Sequence, residues 1–414
     1  MPETAKKIDW INQLIIVIAD VLLLFFALRN NLGNLNVQFL VVFLGCLVIN
    51  VFALNTSLLT IEKNAVMVYI SVAVYCFYFF LLVFSCMSVS TAFNATLGEL
   101  SVLFGCIMLV KYLDNFELKF KKLLILFFFI FLVGWNIWLV GMLLENPYYA
   151  RMAIAHELDQ ISLSFASPYG IAQCSSIVGI ALFWLLFDGR YHFKKLTNVA
   201  IVCFEILVMY ELYLTQSSIT LYVYLFFLIF IVAKKIFNGE KNSNFVFVVS
   251  VILIATFLIS CREQIGEIIT YVYRNDTTIT GLRMRELGTY LSGNSYSEGV
   301  FLRLGKIQSS INGIKQNVLF GTYYTEGLKY GGDNKFLDIM ANYGICGGIL
   351  YFNIIVQFIR FCYKKISHYN AMLWLPFVIY GLLNNLYVTQ PYYAVLFVLP
   401  MLLSLLNERK YMTN

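Results

Sequence analysis

The chain has 414 residues, of which 60% are hydrophobic and 17% aromatic, while only 13% are charged. Soluble domains carry about 25% charged residues, so this composition excludes a globular protein covered by water and calls for lipid as solvent, where backbone groups pair inside helices or closed barrels. The net charge of +6 is not a nucleic-acid signature, because much of the Lys and Arg lies in short loops between apolar runs, where it sets topology.

Those runs are about 18–25 residues long and do not alternate in polarity, so they read as helices. About twelve spans are placed, roughly 11–28, 37–54, 65–87, 97–113, 123–144, 168–187, 198–214, 219–237, 245–260, 336–359, 371–387 and 392–406. The predicted fold is all-α: a polytopic integral membrane helix bundle with one long, partly helical extracytoplasmic loop. Residues 1–260 hold the first nine helices, 261–335 the loop domain and 336–414 the last three.

The loops set the orientation. Lys111, Lys119, Lys121 and Lys122 share one loop, Arg190, Lys194 and Lys195 a second. Lys234, Lys235 and Lys241 share a third, and Arg360, Lys364 and Lys365 a fourth. An even number of spans puts all four on the side of Lys6, Lys7, Arg409 and Lys410, which the positive-inside rule makes cytoplasmic. The same bookkeeping puts the 261–335 loop outside. A shorter loop with Arg151, His156, Glu157 and Asp159 lies there too, with the turn Thr215-Gln216-Ser217-Ser218.

Inside the long loop, Val300, Leu304, Ile307, Ile311, Ile314 and Val318 recur at steps of three and four, which predicts an amphipathic helix. Ser295 and Glu298 make a capping box at its start and Gly321 a stop. Such a helix is expected to lie flat on the bundle or the membrane surface, with Arg303 and Lys306 as neighbours beside its apolar stripe. A shorter helix is predicted over 282–291, carrying Arg283 and Arg285.

These cationic residues are the sharpest candidates for chemistry. Guanidinium groups grip phosphate oxygens with a two-pronged fork and keep their charge. The plainer reading is that they are solvated or touch anionic headgroups. Gly331-Gly332-Asp333-Asn334 stands where the chain re-enters the membrane. A carboxylate there suits a general base on a sugar hydroxyl; equally, Asp-Asn before an apolar helix is a turn with an N-cap. Asp338, one turn further in, and the intramembrane Asp20, Glu99, Glu205 and Glu211 each need a reason. Glu211 is one turn from the Gln216 turn, so it is the intramembrane carboxylate best placed to face a site. The nine cysteines include no CxxC pair, and no metal-ligand spacing, phosphate loop or dinucleotide fingerprint is present.

Three features resemble the O-antigen polymerase and ligase superfamily, which includes the Wzy-type polymerases of capsule and exopolysaccharide. The first is the architecture, about a dozen spans with one long outer loop before the last few. The second is Leu214-Thr215-Gln216-Ser217-Ser218-Ile219-Thr220, which looks like the family's Thr-x-Ser-Arg turn, with Ser218 where that turn carries Arg. The third is a run of three pieces: Asn317-Val318-Leu319-Phe320-Gly321, then Asp333-Asn334-Lys335-Phe336-Leu337, then Ala341-Asn342-Tyr343-Gly344-Ile345 with Gly347 or Gly348. Ligases carry His where this chain has Asp333, which favours a polymerase.

The resemblance implies a glycosyltransferase in a bacterial cytoplasmic membrane, with both termini cytoplasmic. It would join undecaprenyl-diphosphate-linked oligosaccharide repeat units on the outer face. Asp333, Asn334 and Arg303 would be the catalytic residues. Arg283, Arg285, Lys306, Arg151, Gln216 and Glu211 would bind substrate. No cofactor, metal or nucleic acid is expected. The partners would be the lipid-linked oligosaccharide, membrane lipids, a flippase and a chain-length regulator. A ligase moving finished glycan to another acceptor, or a lipid-linked oligosaccharide flippase, are the competing readings.

Overall fold

The computed structural model describes residues 14–15, 17–18, 21, 63–115, 118–150, 167–187, 193–215, 217–237, 261–276, 279–293, 298–323, 334–366, 369–383 and 390–412. Among them every regular element is helical. The first six long helices are α1 (Lys63–Phe84), α2 (Val89–Asn115), α3 (Leu118–Glu145), α4 (Pro168–Phe187), α5 (Lys195–Thr215) and α6 (Ser218–Phe237). Then come α7 (Arg262–Val272), α8 (Ile279–Leu291) and α9 (Glu298–Gln316) in the loop, and α10 (Lys335–Lys365). The last stretch has a 3-10 turn (Ala371–Trp374), α11 (Leu375–Leu383), α12 (Gln390–Tyr393), a π segment (Ala394–Val398) and α13 (Leu399–Met412).

Among the described residues five helices are long and apolar enough to cross a membrane: Asn64–Phe84, Lys119–Glu145, Pro168–Phe187, Lys195–Thr215 and Lys335–Lys365. Each coincides with an expected span. The expected spans 37–54 and 245–260 lie outside the described residues, as does most of 11–28. Large apolar side chains such as Phe77, Ile130, Ile137, Ile206 and Ile349 stand exposed along these helices. A water-covered surface does not carry so many in one belt.

Helix α4 is the centre. It is buried nearly all round, as an evenly apolar helix must be, and it packs against α5, α6 and α12. Gly170, Ala172, Ser175, Ser176, Gly179 and Ala181 keep it thin enough for neighbours to approach. Its start follows the local code: Pro168 occupies the first turn, where no N–H is needed, and Ser167 O accepts from Ile171 N at 2.9 Å.

A second packing unit joins α1, α2 and α10. Tyr75 and Tyr351 meet edge to face at 5.7 Å, and the Tyr351 hydroxyl pairs with that of Tyr392 at 2.6 Å. At one end of the bundle Lys364 Nζ donates to Asn64 Oδ1 at 2.9 Å, and Lys234 lies 4.6 Å from the Trp184 ring. The first contact joins the ends of α1 and α10, and the second those of α4 and α6.

Two expectations change. The predicted 371–387 span opens with a 3-10 turn ahead of α11, and its last four residues lie outside the described residues. The 392–406 span is interrupted by the π segment, where Leu399 N reaches Ala394 O, five residues back. Pro400 explains this: its ring and missing N–H break the regular ladder one turn earlier. The loop helix α9 takes the first of its two expected positions, on the bundle: it runs beside the first half of α10, bonded at Ser310 to Asp338 (2.6 Å) and just beyond its end at Val318 O to Ile345 N (2.8 Å).

Candidate functional site: a buried polar floor beneath the loop helices

The polar side chains gather at the end of the bundle where α4, α6, α10 and α12 begin and α5 and α11 end. Ser176 Oγ and the Tyr380 hydroxyl share a hydrogen bond of 2.8 Å between α4 and α11. The Tyr380 hydroxyl also reaches Thr220 O on α6 at 3.3 Å. Ser217 Oγ and Thr220 Oγ1 pair at 2.7 Å across the first turn of α6. Thr215 Oγ1 closes the last turn of α5 by donating to Leu212 O at 3.1 Å. The turn that resembles the family motif is thus made of hydroxyls that hold helix ends together.

Glu211 lies one turn inside this layer. Its side chain is 0% exposed, and neither carboxylate oxygen has a hydrogen-bond partner among the described residues. The Cys174 thiol of α4 is a titratable group that interacts with it. The next residue back, Gln173, is also buried, with an amide oxygen that no donor meets. Buried polar groups are almost always satisfied, and an uncompensated carboxylate in a low-dielectric interior costs several kcal/mol (~3–5). Glu205, one and a half turns earlier, differs: the Tyr224 hydroxyl donates to it. Glu99 likewise accepts from Tyr75 at 3.3 Å. Glu205 keeps its other oxygen, Oε1, without a partner among the described residues, so Glu211 is the one of these three intramembrane carboxylates with neither oxygen bonded.

The Gly-Gly-Asp-Asn run divides. Asp333 lies outside the described residues. Asn334 is the N-cap of α10: its Oδ1 accepts from Leu337 N at 3.0 Å, and its Nδ2 donates to Leu382 O at 2.5 Å. One arm of its amide caps α10 and the other ties α10 to α11, so the cap reading describes Asn334. Asp338 is buried and accepts from Ser310 of α9.

Of the three pieces of sequence that carry the resemblance, the first and the third fold onto each other. Gly344 interrupts α10 with φ 71° and ψ −179°, a conformation that only glycine adopts freely. The turn after α9 docks into this break. Val318 O accepts from Ile345 N at 2.8 Å, Leu319 O from Cys346 N at 3.2 Å, and Ala341 O from Thr322 N at 3.0 Å. Gly321 also has positive φ, 73°. A Cβ on Gly321 would strike the Asn342 carbonyl, and one on Gly344 would strike the Leu319 carbonyl.

The remaining candidates sit as follows. Helices α7 and α8 form a hairpin in which Gly266 and Gly288 face each other so closely that a Cβ on either would strike the other's carbonyl. Tyr222 of α6 donates to the Met284 sulfur at 3.1 Å, which holds the hairpin over the start of α6. Arg285 uses Nη1 to bind Arg274 O at 2.8 Å, inside the hairpin connection. Arg283 and Arg303 lie on α8 and α9, and Lys306 is exposed on α9. Arg151, His156 and Gln216 lie outside the described residues. Among the described residues no group of three or more His, Cys, Asp or Glu is arranged to hold a metal.

Sequence reasoning missed Gln173, Ser176 and Tyr380. The signal was the cluster Gln173-Cys174-Ser175-Ser176 in the middle of an apolar run, where polar residues are expensive. No family model, curated protein or solved structure matches the chain.

Proposed function

We propose that the chain is a polysaccharide polymerase that joins undecaprenyl-diphosphate-linked repeat units at the outer face of a bacterial cytoplasmic membrane. Twelve spans with both termini cytoplasmic complete this reading. The observation that carries it is Glu211, an open carboxylate on a floor of hydroxyls at the bundle end that meets the loop helices. A sugar hydroxyl supplies the donor that this acceptor lacks. The docking of the first resemblance segment, at Gly321, onto the third, at Gly344, gives further support.

In the reaction the acceptor hydroxyl attacks the anomeric carbon of the lipid-linked chain. A new C–O bond forms and the anomeric C–O bond to diphosphate breaks. The hydroxyl proton passes to a carboxylate, Asp333 at the head of α10, while Glu211 orients the acceptor. The diphosphate leaves with its lipid, its growing charge met by Arg283, Arg303, Lys306 and Arg151. Helices α7 to α9 keep out water, which would otherwise compete as nucleophile. A ligase uses the same donor and differs only in the acceptor.

The break at Gly344 favours a second reading, a flippase, because transporters build their sites from interrupted helices. Removing the gene and sizing surface glycan on a gel separates the two. A polymerase leaves single repeat units on the surface. Repeat units stranded inside the cell contradict the polymerase and leave the flippase.

A further inference from the structure

The turn that follows α9 carries three consecutive apolar residues, each about half exposed. Val318 is 45% exposed, Leu319 58% and Phe320 51%. Scattered apolar residues on a surface need no explanation, but three in a row at the tip of an otherwise polar loop do.

Their depth can be read against α1. The span Asn64–Phe84 has 21 residues, about 31 Å of helix at 1.5 Å per residue. That matches the roughly 30 Å hydrocarbon layer. Polar contacts mark both of its ends: Lys364 to Asn64 at one, and the Cys86 thiol to Tyr323 O (3.3 Å) at the other. Tyr78 is six residues, about 9 Å, inside the Phe84 end. Its hydroxyl donates to Tyr343 O at 2.8 Å, and its ring lies 3.1 Å from where a Cβ on Gly347 would stand. Side chains on a helix lean toward its N-terminus, so Tyr343–Gly347 is at the level of Tyr78 or deeper. The turn is bonded to Ile345 and Cys346 within that stretch. It therefore lies below the rim of the hydrocarbon layer, and the chain climbs back to the rim by Tyr323.

The backbone is built for that depth. Non-helical chain survives in the hydrocarbon region only when its polar groups are paired with protein. Here Phe320 N binds Asn317 Oδ1 at 3.1 Å and Gly321 N binds Asn317 O at 2.9 Å. The carbonyls of Val318 and Leu319 and the N–H of Thr322 pair with α10. The polar groups face the protein and the three side chains face away. Lys315, exposed one turn above Val318, has the length to lift its ammonium to the headgroups.

We infer that Val318-Leu319-Phe320 is a re-entrant tip that inserts among the acyl chains of the leaflet on the α7–α9 side, and that this insertion anchors the lower end of α9. The inference needs the spans alone and no assumption about the reaction. Anchored in this way, α9 climbs about 18 Å over the 12 residues from Val318 back to Lys306. That lifts Lys306 out of the hydrocarbon to the height of the headgroup layer.

The test is tryptophan quenching in proteoliposomes made from phosphatidylcholine and phosphatidylglycerol. Phe320→Trp and, separately, Leu319→Trp are read against the unaltered protein, whose five Trp residues give the background to subtract. Gln308→Trp, exposed higher on α9, is the water-facing control. The added emission at positions 319 and 320 is expected to be largely lost with acyl-brominated lipid and kept with aqueous iodide, with the reverse at 308. Quenching by iodide at 319 and 320 would overturn the inference, and so would resistance to both quenchers, which would mean cover by protein.

Discussion

The most informative side chain is Glu211, because its surroundings are right for a ligand and wrong for stability. Replacing it by Leu removes an uncompensated buried carboxylate from an apolar interior, so the purified Glu211→Leu protein is expected to melt at a higher temperature while making no polymer. Glu211→Gln keeps the shape and removes the acceptor strength. It is expected to lower turnover at least about tenfold with normal protein level, the loss of one hydrogen bond to a charged group (~1.5–3 kcal/mol). Unchanged polymer length in both variants would remove Glu211 from the site.

Glycines make a second residue-scale prediction, since three of them have positive φ. Gly293 has open space where a Cβ would go, whereas Gly321 and Gly344 have carbonyl groups there. Gly293→Ala is expected to cost only the left-handed strain, about 1 kcal/mol. Gly344→Ala is expected to cost more than about 3 kcal/mol, strain plus displacement of the docked turn. Thermal melts of the two purified variants measure the difference; equal midpoints would contradict the docking. From the sequence, Gly321 was legible as a helix stop. Gly344 was not, because a glycine inside an apolar run reads the same whether it allows close packing or a reversed φ. Its neighbour Gly347 does serve packing, against Tyr343 and Tyr78.

At the scale of elements, legibility followed length and periodicity. The 168–187 span coincides with α4, since a long apolar run with Pro at its start has no competing pattern. The stripe on α9 and the helix around Arg283 and Arg285 were also readable. Helix α7 was missed although Ile265, Ile268, Ile269 and Val272 repeat at helical steps, because charged residues between them suggested open loop. The direction of α9 could not be read at all, because it depends on tertiary bonds from Ser310 and Val318. Those bonds give a prediction. Ser310→Ala removes the tie to Asp338 and is expected to raise hydrogen exchange across α9 and leave α4 protected. Exchange unchanged in α9 would show that the Val318 turn alone holds it.

For the whole molecule, one arrangement accounts for the composition, the packing and the polar floor. Apolar helices with exposed Ile and Phe belts use lipid as solvent. A layer of hydroxyls stands at one end, and the loop helices are tied to the bundle there through Asp338 to Ser310 and Tyr222 to Met284. A pure transporter would use polar groups in mid-membrane; here Glu205 and Glu99 are already engaged by tyrosines, and the open carboxylate lies near the loops. The decisive measurement is reconstitution of the purified chain with a lipid-diphosphate-linked repeat unit and no nucleotide sugar. A ladder of glycan multiples, with one lipid diphosphate released per bond formed, is the predicted result. Translocation of the intact unit across the bilayer without any ladder would contradict it.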